Sequence, residues 1–277
     1  SMASSLAAFY LKIPVAHVEA GLRTYKINSP FPEEINRQLV SRIALLNFAP
    51  TEKARQNLLS EGVENTKIIV TGNSVIDAML SVLQRARKTP FPNDLVKDLP
   101  FIEDAISPKL VLITGHRREN FGKGFENICQ AIRVLAKKHP KVNFVYPVHL
   151  NPNIIIPASN LLKDLENIYL IKPQEYISFV KLMDLSYLIL TDSGGVQEEA
   201  PSIGKPVLVM RENTERPEAI EAGTVKLVGS TIDKIVNEVD ILLNQPDIYK
   251  KMSKAHNPYG DGKASLRIKE KLEEIFK

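Results

Sequence analysis

No stretch of 18 or more apolar residues occurs in the 277-residue chain, so the sequence offers no membrane-spanning helix. No run of five or more like charges occurs either, and the formal net charge is only +4, which leaves a nucleic-acid or membrane-surface footprint without support. A single cysteine, Cys129, excludes an internal disulfide and fits a reducing compartment. Its helical spacing with Ile128 and Ile132 predicts a packing role rather than a nucleophile. The opening "SMASSLAAFYLKIPVAHVEAG" lacks the basic and long apolar regions of a secretory leader, so the cytoplasm is the expected location.

Several catalytic signatures are missing as well. HExxH and CxxC are absent and the five histidines are far apart, so no metal site is expected. Without GxSxG, serine hydrolysis has no anchor. Neither GxxxxGK[ST] nor GxGxxG occurs, which removes the Walker loop and the usual mark of dinucleotide binding.

What is present is an ordinary globular composition, 44% hydrophobic and 25% charged, patterned as short apolar runs alternating with amphipathic segments. That alternation predicts an α/β fold with parallel strands. Strands are expected near 14–18, 45–49, 67–71, 109–114, 142–147, 167–171, 187–191, 206–210 and 224–228, with helices between them. "SPFPEEINRQLVSRIA" predicts a helix with Pro32 at its first position and Glu33 and Glu34 in its first turn. Asn73 or Ser74 can cap the helix that follows. The proline-rich segment 88–108 reads as a surface connection, which puts the hinge between about 72 and 108 and six strand-helix units after it.

Candidate functional residues cluster where strands end. "TDSGGVQEEAPSIGKP" (191–206) follows a buried-strand pattern, so Ser193, Gly194 and Gly195 occupy a strand-to-helix turn. Glycines there allow close backbone approach, and free amides favour an anion such as phosphate; an ordinary capped turn is the plain alternative. Glu199 lies less than two turns further on, in reach of a ribose, whereas simple solvation of Glu198 and Glu199 is the bland reading. "TGHRRENFGKGF" (114–125) brings His116, Arg117, Arg118 and Glu119 into one loop, suited to an anion and to proton transfer, or else a surface charge cluster. "YPVHLNPN" places His149 in a loop at a strand's carboxyl end, where open α/β sheets bind ligands. "HVEAGLRT" and "SPFPEEINR" supply Glu19, Arg23, Glu33, Glu34 and Arg37, and two separated acids can serve as base and acid. "MRENTERPEA" adds a charged loop containing Arg211, Glu215 and Arg216.

Taken in order with "TEKARQNLLSEGV", "VTGNSVIDA" and "AHNPYGDG", these strings resemble the non-hydrolysing UDP-N-acetylglucosamine 2-epimerases over nearly the whole chain. The resemblance implies a GT-B fold, with two Rossmann-like parallel-sheet domains and a cleft between them. Residues 1–74 would be the remnant of the N-terminal domain, with helix 260–277 packing back on it, and 75–259 the C-terminal UDP-binding domain. The implied reaction interconverts UDP-N-acetylglucosamine and UDP-N-acetylmannosamine. UDP is eliminated to leave 2-acetamidoglucal and is then re-added, without metal or cofactor, feeding surface polysaccharide synthesis. Carried onto matching positions, Glu19, Glu33 and His116 are implied as catalytic. Ser193, Gly194, Gly195, Glu199 and Arg216 are implied as UDP contacts. Arg117 and His149 are implied contacts for a second UDP-N-acetylglucosamine acting as allosteric activator, and a homodimer is the implied assembly.

Family members begin with a phosphate-binding strand and loop and a later aspartate-bearing "GDTTT"-like segment, neither of which occurs here. The expectation is therefore a chain lacking the N-terminal part, with the N-terminal domain incomplete and turnover impaired. Three other readings share parts of the pattern: a hydrolysing 2-epimerase that releases UDP, a GT-B glycosyltransferase, and a non-catalytic nucleotide-sugar-binding module.

Overall fold

The computed structural model describes residues 1–104 and 109–276, which form two compact units. The first comprises Ser1–Ala78, Asn213–Glu218 and Asn257–Lys277; the second comprises Met79–Glu212 and Ala219–His256. The sequence reading had not placed the segment 213–218 with the first unit.

The first unit carries a parallel three-stranded sheet, β1 (Ala16–Val18), β2 (Leu46–Ala49) and β3 (Ile68–Val70), in that order. Its core gathers Ala20, Leu22, Ala49, Ala54, Leu58 and Ile68. Gly21 is required there. Its φ is +89°, and an added Cβ would stand 2.2 Å from the carbonyl oxygen of Ala54. The helix Glu33–Ile43 begins one residue later than expected, with Pro32 as its cap position. Thr51 caps the helix Glu52–Ser60 by accepting from the amide of Ala54 at 3.0 Å. Asn73 caps Ser74–Ala86 by accepting from the amide of Val75 at 3.1 Å. The helix Ala264–Phe276 belongs to the first unit, where the Asp77 carboxylate accepts from the amides of Ala264 and Ser265 at 3.1 and 2.8 Å.

The second unit is built on six parallel strands: β4 (Leu110–Thr114), β5 (Asn143–Pro147), β6 (Ile168–Ile171), β7 (Leu188–Thr191), β8 (Val207–Val209) and β9 (Val225–Leu227). Their spatial order is β6-β5-β4-β7-β8-β9, so the chain winds outward from β4 in one direction and, after β6, outward from β7 in the other. β4 and β7 are therefore the neighbours at which the order reverses, the position where open α/β sheets bind ligands. The helix Lys123–Lys138 shows why the layers hold. Phe125, Ile128, Cys129, Ile132, Leu135 and Ala136 fall on one stripe and are all buried against Val111, Ile113, Phe144 and Tyr146. Burying each large apolar side chain on that stripe contributes about 1.5 to 3 kcal/mol. Cys129 is part of this core, and burial pushes its thiol up to about 12, so it packs and does not attack.

The segment 88–104 departs from the surface connection expected of it. It holds a short helix, Asn93–Asp98, and buries Phe91, Leu95, Leu99, Phe101 and Ile102. The Phe101 and Tyr169 rings lie 4.9 Å apart, and the Lys181 ammonium stands 4.1 Å above the Phe91 ring. The prolines interrupt regular structure there, but the apolar residues between them still leave water. The remainder of that expected connection, 105–108, lies outside the described residues.

Candidate functional site

The fully apolar run "LVLI" makes β4 a buried central strand, and "LIL" does the same for β7. Thr114 and Thr191 are partners in register, and their hydroxyl oxygens lie 2.5 Å apart. The loops leaving these two strand ends are thereby brought together at the switch point. One carries Gly115 to Asn120 and the other Asp192 to Gly195.

Between them lies a cavity of about 270 Å³. Its lining includes Thr114, Gly115 and His116 after β4, and Ser193, Val196 and Glu199 after β7. His149 after β5 and Gln174, Tyr176 and Phe179 after β6 line it as well. Of the residues expected to bind UDP, Ser193 and Glu199 thus meet around one space together with His116 and His149. The His116 and His149 rings stack with centroids 5.6 Å apart at 18°. Burial lowers the pKa of His116 from its ordinary value, the Asp192 carboxylate opposes that shift, and His149 and Arg117 add to it.

Asp192 was not singled out by sequence reasoning. It is 0% exposed, and its carboxylate accepts from the backbone amides of His116, at 2.9 and 3.1 Å, and of Arg117, at 2.8 Å. The Asn120 amide group donates to it at 3.3 Å and to the Met210 carbonyl at 3.1 Å. Arg211, buried as well, donates to Glu119 at 2.6 Å. The His116–Asn120 loop is consequently fixed at four of its five residues.

Glu198 and Glu199 are buried, not solvated. Glu199 faces the cavity, and its Oε1 accepts from the Tyr176 hydroxyl. Burial raises its pKa, partly offset by that hydrogen bond. The glycine turn differs in detail from expectation. Gly195 has φ −61°, a right-handed conformation open to any residue, so backbone freedom does not explain it. An added Cβ would lie 3.7 Å from Glu199 Oε2, an ordinary van der Waals contact. The Ser193 amide is already used, donating to Thr191 Oγ1 at 2.9 Å.

The other expected residues belong to the first unit. Glu19 sits at φ +64°, a left-handed conformation that costs a residue with a Cβ about 1 to 3 kcal/mol. Its Oε1 lies 3.4 Å from both the Asn73 amide nitrogen and the Arg216 guanidinium. Arg216 is buried and also pairs with Glu215. Glu33 is exposed in the first turn of its helix. Glu34, in contrast, is 0% exposed and accepts from the amides of Thr24 and Tyr25 at 3.0 and 2.9 Å, so it braces the 24–25 loop. Arg23 is likewise a strut, paired through two nitrogens with Glu61 at 2.7 and 2.8 Å. Among the described residues no group of three or more His, Cys, Asp or Glu is arranged to hold a metal ion, and no helix is long and apolar enough to cross a membrane.

A sequence profile of the family described as UDP-N-acetylglucosamine 2-epimerase matches residues 1–273. The chain belongs to that family. The UDP-N-acetylglucosamine 2-epimerase of Escherichia coli (strain K12) is 55% identical over 273 residues, a match covering 98% of this chain and 72% of the relative. A crystal structure of the Neisseria meningitidis UDP-GlcNAc 2-epimerase, bound to UDP-GlcNAc, superposes with a TM-score of 0.93 at 53% identity, covering 99% of this chain and 73% of that one. The Methanocaldococcus jannaschii epimerase, solved in complex with UDP-GlcNAc and UDP, gives 0.83 at 38% identity, covering 99% and 72%. These epimerases share the pair of parallel sheets of the GT-B type.

Sequence reasoning missed Asp192, Gln174, Tyr176 and Phe179. For Asp192 there was a usable signal, an acid set between a buried strand and a glycine turn.

Proposed function

We propose that the chain acts on UDP-N-acetylglucosamine and inverts its C2 to give UDP-N-acetylmannosamine, without hydrolysing the nucleotide sugar. What carries this reading is the cavity at the β4/β7 switch point, where Ser193, Glu199 and His116 converge in a chain of this family. UDP occupies that cavity. The turn Ser193–Gly195 faces the diphosphate, with Gly194 and Gly195 offering their amides, since that of Ser193 is engaged. Glu199 takes the ribose hydroxyls through Oε2, while Tyr176 holds Oε1. Arg216 adds a cation for the nucleotide sugar.

The chemistry is loss of the C2 proton and departure of UDP from C1, followed by return of UDP and delivery of a proton to the opposite face of C2. Glu19 and Glu33 are the proton-transfer pair. Glu19 lies beside a guanidinium on a strained loop, whereas Glu33 is open to water. His116, with a lowered pKa, is neutral at pH 7 and able to hydrogen-bond the departing phosphate side or to shuttle a proton. A second UDP-N-acetylglucosamine at Arg117 and His149 acts as activator, through a histidine stacked directly on His116. The protein works in the cytoplasm as a homodimer.

The test is incubation of the 277-residue chain with UDP-N-acetylglucosamine and separation of the products. UDP-N-acetylmannosamine without accumulating UDP is the expected outcome. Free UDP with N-acetylmannosamine would select a hydrolysing epimerase instead.

A further inference from the structure

We infer that Asp192 is a positioning residue of the reaction: its buried carboxylate clamps the backbone of His116 and Arg117 and so holds the His116 imidazole at the cavity. The inference rests on the catalytic role proposed above for His116. Three donors converge on one oxygen, Oδ2: the amides of His116 at 2.9 Å and Arg117 at 2.8 Å, and the Asn120 side chain at 3.3 Å. The other oxygen takes the His116 amide at 3.1 Å and lies 3.7 Å from His116 Nδ1. The second distance is too long for a hydrogen bond, so Asp192 governs the ring through the main chain and through its charge.

A carboxylate with no exposed surface costs several kcal/mol to desolvate unless donors replace the water, and here backbone amides from the loop after β4 do so. A merely structural brace would need no charge, because a neutral acceptor such as a carbonyl could take the same amides. What the charge adds is a field at the imidazole. Glu199 and Tyr176 line the same cavity as His116, but the charged groups that act on its ring are Asp192, His149 and Arg117, and of these only the carboxylate favours its protonated form. The same oxygen binds the amide of Arg117, so a ligand that displaces Arg117 acts on the clamp that holds His116.

Two substitutions in the full chain separate the parts of the claim. Asp192→Asn keeps an acceptor oxygen for the convergent donors but removes the charge; Asp192→Ala removes both. The His116 ring resonance, identified by its loss in His116→Gln, is titrated by NMR. In Asp192→Asn its midpoint is expected to fall by about one pH unit. In Asp192→Ala the amides of His116 and Arg117 are expected to exchange with solvent at least about tenfold faster than in the unmodified chain. With UDP-N-acetylglucosamine, the limb of the pH–rate profile set by His116 is expected to move in Asp192→Asn in the same direction as the ring midpoint, with kcat reduced about tenfold or more. A folded Asp192→Asn chain with an unchanged ring midpoint overturns the inference. If neither variant folds, acid titration of the unmodified chain decides: the two amide resonances must move together with one carboxylate midpoint, and independent behaviour overturns the clamp. Absence of turnover in the unmodified chain counts against the proposed function alone, because the ring and amide measurements do not depend on it.

Discussion

At the scale of single residues, the two oxygens of Glu199 have different work. Oε1 is held by Tyr176, and Oε2 lies 3.7 Å from where a Cβ at Gly195 would stand. Replacing Glu199 by Ala is expected to weaken UDP by about 1 to 3 kcal/mol, read by calorimetry, and unchanged affinity would refute the ribose contact. Gly195→Ala makes a sharper distinction. The conformation at 195 accepts alanine and the new methyl meets nothing closer than 3.7 Å, so the melting temperature should stay level or rise slightly. UDP affinity should nevertheless fall about tenfold, because the methyl would stand beside the Oε2 proposed to take the ribose. Equal affinity in the two proteins would contradict that arrangement. Glu199 and the glycine turn were legible in the sequence because they share one local stretch. Asp192 was not, since the amides it binds come from residues 116 and 117, which the sheet order alone makes its neighbours.

Between elements, half-buried His17 of β1 stands 3.4 Å from the Ser41 hydroxyl of the helix Glu33–Ile43. Burial, reinforced by the Arg23 guanidinium, lowers its pKa to about 4 from an ordinary 6.5. The sign is unambiguous. Below pH 6.5 the unfolded chain takes up a proton that the folded chain refuses until about pH 4, so stability is lost as pH falls through that window. The loss between pH 7 and 4.5 amounts to about 2 kcal/mol. Urea denaturation of His17→Gln should therefore show a shallower acid destabilisation than the parent by about that amount, and parallel losses would contradict it. The nine strands of the described residues were readable in outline from apolar runs, most clearly β4 and β7, where burial on both faces leaves an uninterrupted signal. The segment 88–104 was misread for a complementary reason: four prolines in 88–108 mask a set of apolar residues whose burial depends on β6 and the helix Tyr176–Leu185, both distant in sequence.

Over the whole molecule, the order β6-β5-β4-β7-β8-β9 explains why loops 76 residues apart, at His116 and Asp192, share one site. Each loop was marked by its own short motif, but their meeting was not. The resemblance to the family rests on strings spread over both units rather than on any one of them. The most direct measurement is proton NMR of UDP-N-acetylglucosamine incubated with the chain in heavy water. Elimination and re-addition predict UDP-N-acetylmannosamine carrying deuterium at C2, together with progressive loss of the C2 proton from the remaining substrate. A C2 proton signal that stays intact, with no second sugar nucleotide formed, would contradict the account.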